Sequence, residues 1–154
     1  MKNTFVSVQT SSPVAPTVNK GLVRRDVTIL QDGEVKELPQ GNRELNGVKF
    51  VHQDKVGYIF PTPATIQLSN QEEQGRWSDI TDQKNISTEV VHMDVFKLWF
   101  DHGKQPDSAS YQYIVVPGVT EQVLQETSGN NRGIEIITNN SDVQAVSNRK
   151  LGIT

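Results

Sequence analysis

The side chains of this chain that could act as general acids or bases include three histidines, one of which precedes two tyrosines. His102 is followed by Tyr111 and Tyr113, so a His–Tyr pair could be drawn that removes and donates protons. His52 and His92 stand elsewhere, and no HExxH or other close histidine pair is present. The sequence therefore does not predict a histidine-based zinc site, and each histidine alone is interpreted as structural or surface-exposed.

Other reaction chemistries find no support in the residue types or their spacing. The chain has no cysteine, which excludes a disulfide framework, a thiolate nucleophile and a Cys-based metal site. Carboxylate pairs for glycoside hydrolysis can be drawn almost at will from 18 acidic residues, so no particular pair carries information. Nothing matches a P-loop, a dinucleotide fingerprint or a nucleophile elbow. We predict no catalytic residue, no metal and no cofactor for this chain.

Two tryptophans and two arginines are weak candidates for contact with a carbohydrate. Trp77 lies between turn residues, and Trp99 lies on the polar face of a predicted strand. Because sugar rings stack on aromatic faces, Trp77 is either a sugar platform or a side chain that closes one end of the core. Arg24 and Arg25, near Lys20, could contact an anionic glycan, although alternation along a strand places the two arginines on opposite faces. A solvated strand face is the favoured interpretation of this basic cluster.

The elements that would position these residues are predicted to be short strands. Turn signals recur along the chain at Asp32-Gly33, Pro39-Gln40-Gly41, Asn46-Gly47, Pro61-Thr62-Pro63, Gln74-Gly75, Pro117-Gly118 and Gly129-Asn130-Asn131. Segments rich in β-branched and aromatic residues lie between them and predict strands at Leu22–Leu30, Val48–His52, Gly57–Phe60, Thr65–Leu68, Thr88–Phe100, Tyr111–Val116, Ile134–Thr138 and Val143–Val146. Many short strands without helical periodicity predict an all-β, antiparallel β-sandwich.

Three segments depart from this simple pattern. The apolar residues of Thr88–Phe100 change phase, which predicts either a β-bulge or a strand buried on both faces over its second half. Val119–Glu126 is the one plausible helix. Thr10–Thr17 is rich in Ser, Thr and Pro and is predicted to be flexible.

Composition sets the broad class of the protein. A chain of 154 residues fits one domain, and 34% hydrophobic with 21% charged residues predicts a folded domain with long polar loops. A net charge of −3 argues against a nucleic-acid partner, which requires a basic surface. The chain starts without the apolar core of an export signal, and no apolar run approaches the ~20 residues that span a bilayer, so no membrane partner is predicted.

In Trp99–Gly118 a predicted strand ends in His-Gly, passes a Pro-containing loop and continues as Tyr-x-Tyr, an apolar run and Pro. This segment and three others resemble the hyaluronate/chondroitin/xanthan lyase family, polysaccharide lyase family 8. Val51–Pro61 resembles a segment ending in Gly-Tyr-x-Phe-Pro. Gly75–Ile80 resembles the turn Gly-x-Trp-x-Asp-Ile-Asn, with Thr81 where Asn is usual. Asn139–Val146 resembles the start of the small C-terminal β-domain.

The resemblance implies a place within a larger enzyme. Order and spacing agree from Val18 to Thr154, so we expect a divergent or flexible start over residues 1–17 and a lyase-type β-sandwich, part of a central super-sandwich, over 18–154. Members of the family are large bacterial enzymes, usually exported to the periplasm or the extracellular space, that cleave uronic-acid polysaccharides by β-elimination. Their catalytic Asn, His, Tyr and Arg lie on a helical toroid, and no stretch of this chain resembles it.

The residues of the His-Gly…Tyr-x-Tyr motif are therefore interpreted as structural. His102 and Gly103 close one predicted strand, Pro106 lies in the following loop, and Tyr111 and Tyr113 begin the next strand. Their expected role is to tie the loop ends together by hydrogen bonds and packing.

Three functions remain open from the sequence. The first is a non-catalytic domain that supports the toroid domain of a polysaccharide lyase and lines one wall of its cleft for an acidic polysaccharide. The second is a free-standing carbohydrate-binding module. The third is a small lyase with its own active site.

Overall fold

The structure is a computed structural model that describes residues 5–6, 16–21, 26–104, 106–128, 133–140 and 142–154. Within these ranges all strand pairings are antiparallel and helix is scarce, which confirms the prediction of an all-β fold. The elements are β1 (Phe5–Val6), β2 (Pro16–Gly21), β3 (Val27–Gln31), β4 (Glu34–Leu38), β5 (Asn42–Gln53), β6 (Val56–Gly75), a 3₁₀ helix (Trp77–Asp79), β7 (Val91–Trp99), β8 (Ile114–Pro117), α1 (Glu121–Ser128), β9 (Ile134–Asn139) and β10 (Gln144–Asn148).

One long strand, β6, organises the main sheet. The described strands of this sheet follow the order β1-β2-β7-β6-β5-β3-β4, and β8 also pairs with β6. β5 occupies one edge of β6, while β8 pairs with its first residues and β7 with its last ones. β9 and β10 form a separate two-stranded hairpin.

Two tight turns connect the central strands. Asp32 and Gly33 join β3 to β4 with φ values of 53° and 83°, and Asp54 and Lys55 join β5 to β6 with φ values of 49° and 62°. Two-residue hairpin loops favour positive φ at both positions because that twist matches the strands they connect. The first turn is predicted by its glycine. The second lacks glycine, and turn composition alone does not reveal it.

Two other segments that the sequence predicts as turns are instead irregular stretches inside strands. Asn46-Gly47 lies within β5, where the pairing register shifts between Leu45 and Val48. Pro61-Thr62-Pro63 lies within β6. This stretch has no partner residues on β5, because the pairs on either side of it are Phe50–Ile59 and Val48–Ala64. Proline cannot donate to a strand ladder, and a bulge tolerates it. The predicted strands 57–60 and 65–68 are therefore one strand.

The predicted phase change in Thr88–Phe100 has a simpler cause than a bulge. The observed strand is β7, shorter at both ends, and its pairing with β6 runs without a register shift, so the bulge alternative is wrong. Phe96, Leu98 and Phe100 are buried on one face, while Lys97 and Trp99 on the other face are half-buried. The second half of β7 is thus partly covered on both sides.

Some predicted boundaries need correction. Tyr111–Val116 is a strand only from Ile114, and the predicted helix at Val119–Glu126 is confirmed with its start displaced to Glu121. The sequence does not predict the charged edge strand β4, because its residues EVKEL show the Lys and Glu typical of an exposed edge. Residues 22–25 of the predicted first strand, the turn at 129–131 and most of Thr10–Thr17 lie outside the described residues.

The main sheet buries apolar side chains on both faces. On one face the largest cluster gathers Val27, Ile29, Leu45, Val48, Val51, Val56, Tyr58, Phe60, Ile66, Leu68, Phe96, Leu98 and Phe100. On the other face, Leu30, Phe50, Ile59 and Ile114 form a cross-strand row, because they pair with one another from β3 to β8. Leu124 of α1 is fully buried against this row. The helix therefore seals the second face of the sheet.

A glycine and a histidine fix the helix on the sheet. A Cβ atom at Gly57 would lie 2.5 Å from Leu124 Cδ1, so the close approach of α1 to β6 requires glycine there. The His52 Nε2 atom lies 3.0 Å from the carbonyl oxygen of Val119, and the Val119 amide donates to the Lys55 carbonyl at 3.0 Å. These contacts anchor the segment that leads into α1.

Candidate functional site

The residues of the His-Gly…Tyr-x-Tyr motif meet in one aromatic cluster around Phe100. The Phe100 ring centroid lies 5.7 Å from that of Phe60, 5.7 Å from Tyr111, 6.4 Å from Tyr113 and 6.4 Å from His102, which stacks on it. Tyr111 and Tyr113 also stack on each other at 6.2 Å. Offset aromatic contacts at these separations stabilise packing beyond area burial. The structure therefore brings His102 and both tyrosines together by ring packing.

The loop between the two halves of the motif begins with a local hydrogen bond. The Gly103 amide donates to Asp101 Oδ1 at 2.9 Å, and Gly103 has a φ of 73°, a value that favours glycine. Pro106 is exposed in the same loop. Gly103 thus allows the chain to turn sharply after β7, as a strand-closing His-Gly pair would require.

The three histidines have separate surroundings. His52 contacts the Val119 carbonyl, His92 Nδ1 lies 3.0 Å from Glu72 Oε1 on the surface, and His102 belongs to the aromatic cluster. His102 and Tyr111 are 6.4 Å apart between ring centroids. Among the described residues, no group of three or more His, Asp or Glu side chains could hold a metal ion.

The weak carbohydrate-binding candidates do not form one site. Trp77 is 55% exposed on the 3₁₀ helix beyond the end of β6, whereas Trp99 is half-buried at the far end of β7. Gly75 pairs with Val91, so the two tryptophans lie at opposite ends of β7, about 26 Å apart along the strand. Arg24 and Arg25 lie outside the described residues. A single sugar ring cannot contact both tryptophans.

Two titratable groups have shifted pKa values with clear causes. Burial raises the pKa of the Tyr58 phenol to about 12, and the neighbouring Tyr113 adds to the effect. A hydrogen bond from Lys97 lowers the pKa of Glu73, and the Lys97 Nζ atom lies 2.8 Å from Glu73 Oε1. Tyr58 therefore stays protonated in the core at neutral pH, and Glu73 stays ionised on the surface.

Two adjoining clefts flank Tyr111 and Gln112. The first, of about 560 Å³, lies beside the β9–β10 hairpin and is lined in part by Ile59, Tyr113 and Ile136. The second, of about 580 Å³, lies between the bulged stretch of β6 and the loop that follows β7. Asn139 reaches both clefts, and its Nδ2 atom donates to the Tyr111 carbonyl at 3.4 Å.

The clefts include polar residues that sequence reasoning missed. Thr62 and Thr65 lie on β6, Gln112 lies in the loop before β8 and Asn139 ends β9, so these residues carry no shared pattern in the sequence. The only local signal is the sequence Pro-Thr-Pro-Ala-Thr, which predicts a turn. Within the described part of the chain, neither helical segment is long and apolar enough to cross a bilayer.

The sandwich and its aromatic motif define a class of protein that comparison with known families identifies. The family model described as the polysaccharide lyase family 8 super-sandwich domain matches residues 3–128. The chain belongs to this family. The resemblance read from the Trp99–Gly118 and Val51–Pro61 motifs is therefore confirmed.

Individual relatives agree with the family assignment. The chain is 37% identical over 109 residues to the chondroitinase-AC of Pedobacter heparinus, an alignment that covers 70% of this chain and 15% of that protein. It is 32% identical over 116 residues to the xanthan lyase of a Bacillus species, covering 71% of this chain and 12% of that one. A solved structure of chondroitinase AC lyase with oligosaccharides superposes with a TM-score of 0.76 at 26% identity, over 91% of this chain and 20% of that one.

The structural similarity confirms the predicted super-sandwich fold, and the coverage figures show how much of each relative the chain represents. The chain spans 15% and 12% of the length of the two curated relatives. It aligns with only part of each of these larger enzymes.

Proposed function

We propose that this chain is a non-catalytic super-sandwich domain of a polysaccharide lyase. The observation that carries the proposal is the family match over residues 3–128, which concerns the super-sandwich domain. The geometry of the aromatic cluster supports it. His102 packs its ring face on Phe100, an arrangement that suits a structural side chain better than a base directed at a substrate.

The reaction proposed for the whole enzyme is β-elimination from an acidic polysaccharide. It needs a group that neutralises the uronate carboxylate, a base that removes the C5 proton and an acid that protonates the leaving oxygen, all converging in one cleft. In the family that this chain resembles, a helical toroid supplies these groups. We therefore propose the toroid domain as the physical partner of this sandwich.

The proposed substrate class follows from the named relatives. Chondroitinase-AC, xanthan lyase and hyaluronate lyase are all among the proteins that this chain resembles. We propose that the enzyme acts on a uronic-acid polysaccharide of this kind, in the extracellular space or the periplasm.

The proposal predicts that the isolated chain does not cleave polysaccharides. The purified chain is incubated with hyaluronan, chondroitin sulfate or lyase-treated xanthan, and the ultraviolet absorbance of the unsaturated uronate is followed. An intact chondroitin AC lyase serves as the positive control. We expect no product above background, because the neutralising group, base and acid that elimination requires are proposed to lie on the toroid domain.

The contrary outcome is a small lyase with its own active site. Sustained product formation that follows the protein through purification, and that is lost in the variants His102→Ala or Tyr111→Phe, would overturn the proposal. The melting temperature of each variant shows whether a loss of activity reflects unfolding.

A free-standing carbohydrate-binding module is the second candidate, and one observation favours it. Trp77 is 55% exposed, an unusual position for so large an apolar side chain unless a ligand or partner covers it. In such a module Trp77→Ala would abolish glycan binding. Ile80→Ala is the matched control, because Ile80 lies three residues further on and is 74% exposed.

A further inference from the structure

The cleft between the bulged stretch of β6 and the loop after β7 is lined mainly by uncharged polar side chains. Its volume of about 580 Å³ falls within the usual range of small-ligand pockets, about 300–1,000 Å³. Three hydroxyl side chains, Thr62, Thr65 and Ser110, line it together with the amides of Gln112 and Asn139. Hydroxyls and amides both donate and accept hydrogen bonds, which is what the hydroxyl groups of a sugar require.

Several of these side chains are held in place by hydrogen bonds within the protein. Gln112 Nε2 donates to Thr62 Oγ1 at 3.2 Å, which links the two sides of the cleft. Thr65 Oγ1 donates to Asn46 Oδ1 at 2.8 Å. These bonds leave the Gln112 amide oxygen and the Thr62 hydroxyl hydrogen available to a ligand. Orientation fixed before binding lowers the entropy cost of capturing one.

Tyr111 gives the cleft an aromatic wall. Its ring is half-buried and packs against Phe100 and Tyr113 at centroid distances of 5.7 Å and 6.2 Å. Such a ring is rigid and amphipathic, so the apolar face of a sugar can pack on it at small entropic cost.

The charges around the cleft indicate what kind of sugar it takes. No lysine or arginine is among the described residues that line it, and its one carboxylate, Asp101, would repel an anion. The imidazole of His102 is stacked on Phe100. A uronate carboxylate that entered the cleft would therefore lose hydration and find no cationic partner, which a buried carboxylate needs. A neutral hexose or N-acetylhexosamine meets no such penalty.

We propose that this cleft binds a neutral sugar unit of the polysaccharide and leaves the neighbouring uronates in solvent. The inference rests on the proposed function, because the ligand is a neutral unit of the same alternating polymer. Binding here is independent of bond cleavage, so the lyase assay and a binding assay test the two proposals separately.

The test compares two ligands that differ only at the uronate C6, which is a carboxylate in one and a neutral hydroxymethyl group in the other. The full 154-residue chain is titrated with hyaluronan hexasaccharide and with its carboxyl-reduced form, in which each uronate has become a neutral glucose. Isothermal titration calorimetry or NMR chemical shifts report the Kd, expected on the order of 1 mM. We expect the two Kd values to agree within about threefold, with little dependence on salt.

Variants locate the binding in the cleft. Gln112→Ala and Thr62→Val should each weaken binding of the reduced hexasaccharide about fivefold to tenfold, which corresponds to the loss of one hydrogen bond. Gln83→Ala is the matched control, because it removes an exposed amide that does not line the cleft. Both cleft substitutions lie at the surface or only half-buried, and melting temperatures confirm that the variants fold.

Three results would overturn the inference. In the first, the reduced hexasaccharide does not bind. In the second, carboxyl reduction weakens binding more than about tenfold, and in the third the Kd of the reduced hexasaccharide is unchanged in both cleft variants. Binding that is lost in Trp77→Ala and retained in Gln112→Ala would instead place the sugar on the loop tryptophan.

Discussion

Replacing Gly57 by alanine tests how tightly α1 is packed on the sheet. The new Cβ atom would lie 2.5 Å, 2.8 Å and 3.2 Å from Cδ1, Cδ2 and Cγ of Leu124. Contacts under 3.0 Å require one partner to move. Leu124 is fully buried with Leu30, Phe50 and Ile59 around it, so its side chain has little room to rotate away.

Two effects of opposite sign act on the free energy of unfolding. Gly57 does not have a positive φ, so alanine fits the backbone and stiffens the unfolded chain, which stabilises by about 0.4–1 kcal/mol. Overpacking of a buried contact costs about 1–3 kcal/mol. The second effect dominates, and we expect a net loss of about 1–2 kcal/mol. For a domain of this size that lowers Tm by roughly 2–8 °C.

The assay is urea unfolding followed by circular dichroism and tryptophan fluorescence. Gly75→Ala is the matched control, since Gly75 ends the same strand, has no positive φ and has no other atom within 4 Å of the place its Cβ would take. It should be neutral or slightly stabilising. Leu124→Ala alone should cost about 2–5 kcal/mol through the cavity it leaves. On that background Gly57→Ala should cost nothing, because all three crowding atoms are gone.

The double-mutant comparison decides the matter. We expect a coupling free energy of about 1–3 kcal/mol between Gly57 and Leu124. Additive effects, or a Gly57→Ala variant as stable as the Gly75→Ala control, would refute the close approach of α1 to β6.

Two further predictions concern ionisation. Because the pKa of Tyr58 is raised from 10.0 to about 12, the unfolded chain loses this proton first; the stability present below pH 10 falls by about 2–3 kcal/mol as pH rises towards 12. Tyr58→Phe should show a smaller loss of urea midpoint between about pH 9 and pH 11 than the parent chain, and equal losses would contradict a buried phenol. Lys97→Met should raise the pKa of Glu73 towards its usual value in an NMR titration, because the partner that lowers it is gone. The stability change should stay under about 1 kcal/mol at this half-exposed pair, and an unmoved Glu73 pKa would exclude the interaction.

The fold class follows from local composition, but the joining of strands does not. Alternating β-branched and aromatic segments predict most strands because that pattern suits a half-buried sheet. Pro61 and Pro63 predict a turn, yet the strand continues past them, because the opposite strand leaves that stretch unpaired. The turn at Asp54-Lys55 escapes prediction for the converse reason, since neighbouring strands impose positive φ on a pair without glycine, in which Lys55 does not favour that conformation.

The aromatic cluster can be anticipated from the sequence, whereas the polar cleft cannot. His102, Tyr111 and Tyr113 share a recognisable motif, and the loop between them is short enough to return the chain to the same place. Thr62 and Asn139 come from distant segments, and only the register of β6 and the position of the β9–β10 hairpin bring them near Gln112. Threonine and asparagine are common surface residues, so their types alone carry no signal.

The position of β2 in the sheet has a consequence for the order of folding. Thr17 pairs with Trp99, so this contact closes a loop of about 80 residues, whereas β5 and β6 meet across a two-residue turn. Because distant pairings form late, we expect the β5–β6 hairpin to form early and β2 to dock after β7 is in place. Until then the free edge of β7 offers its backbone to any matching strand, and the β2 segment of a second molecule matches as well as its own. At high concentration, refolding should therefore yield strand-exchanged dimers.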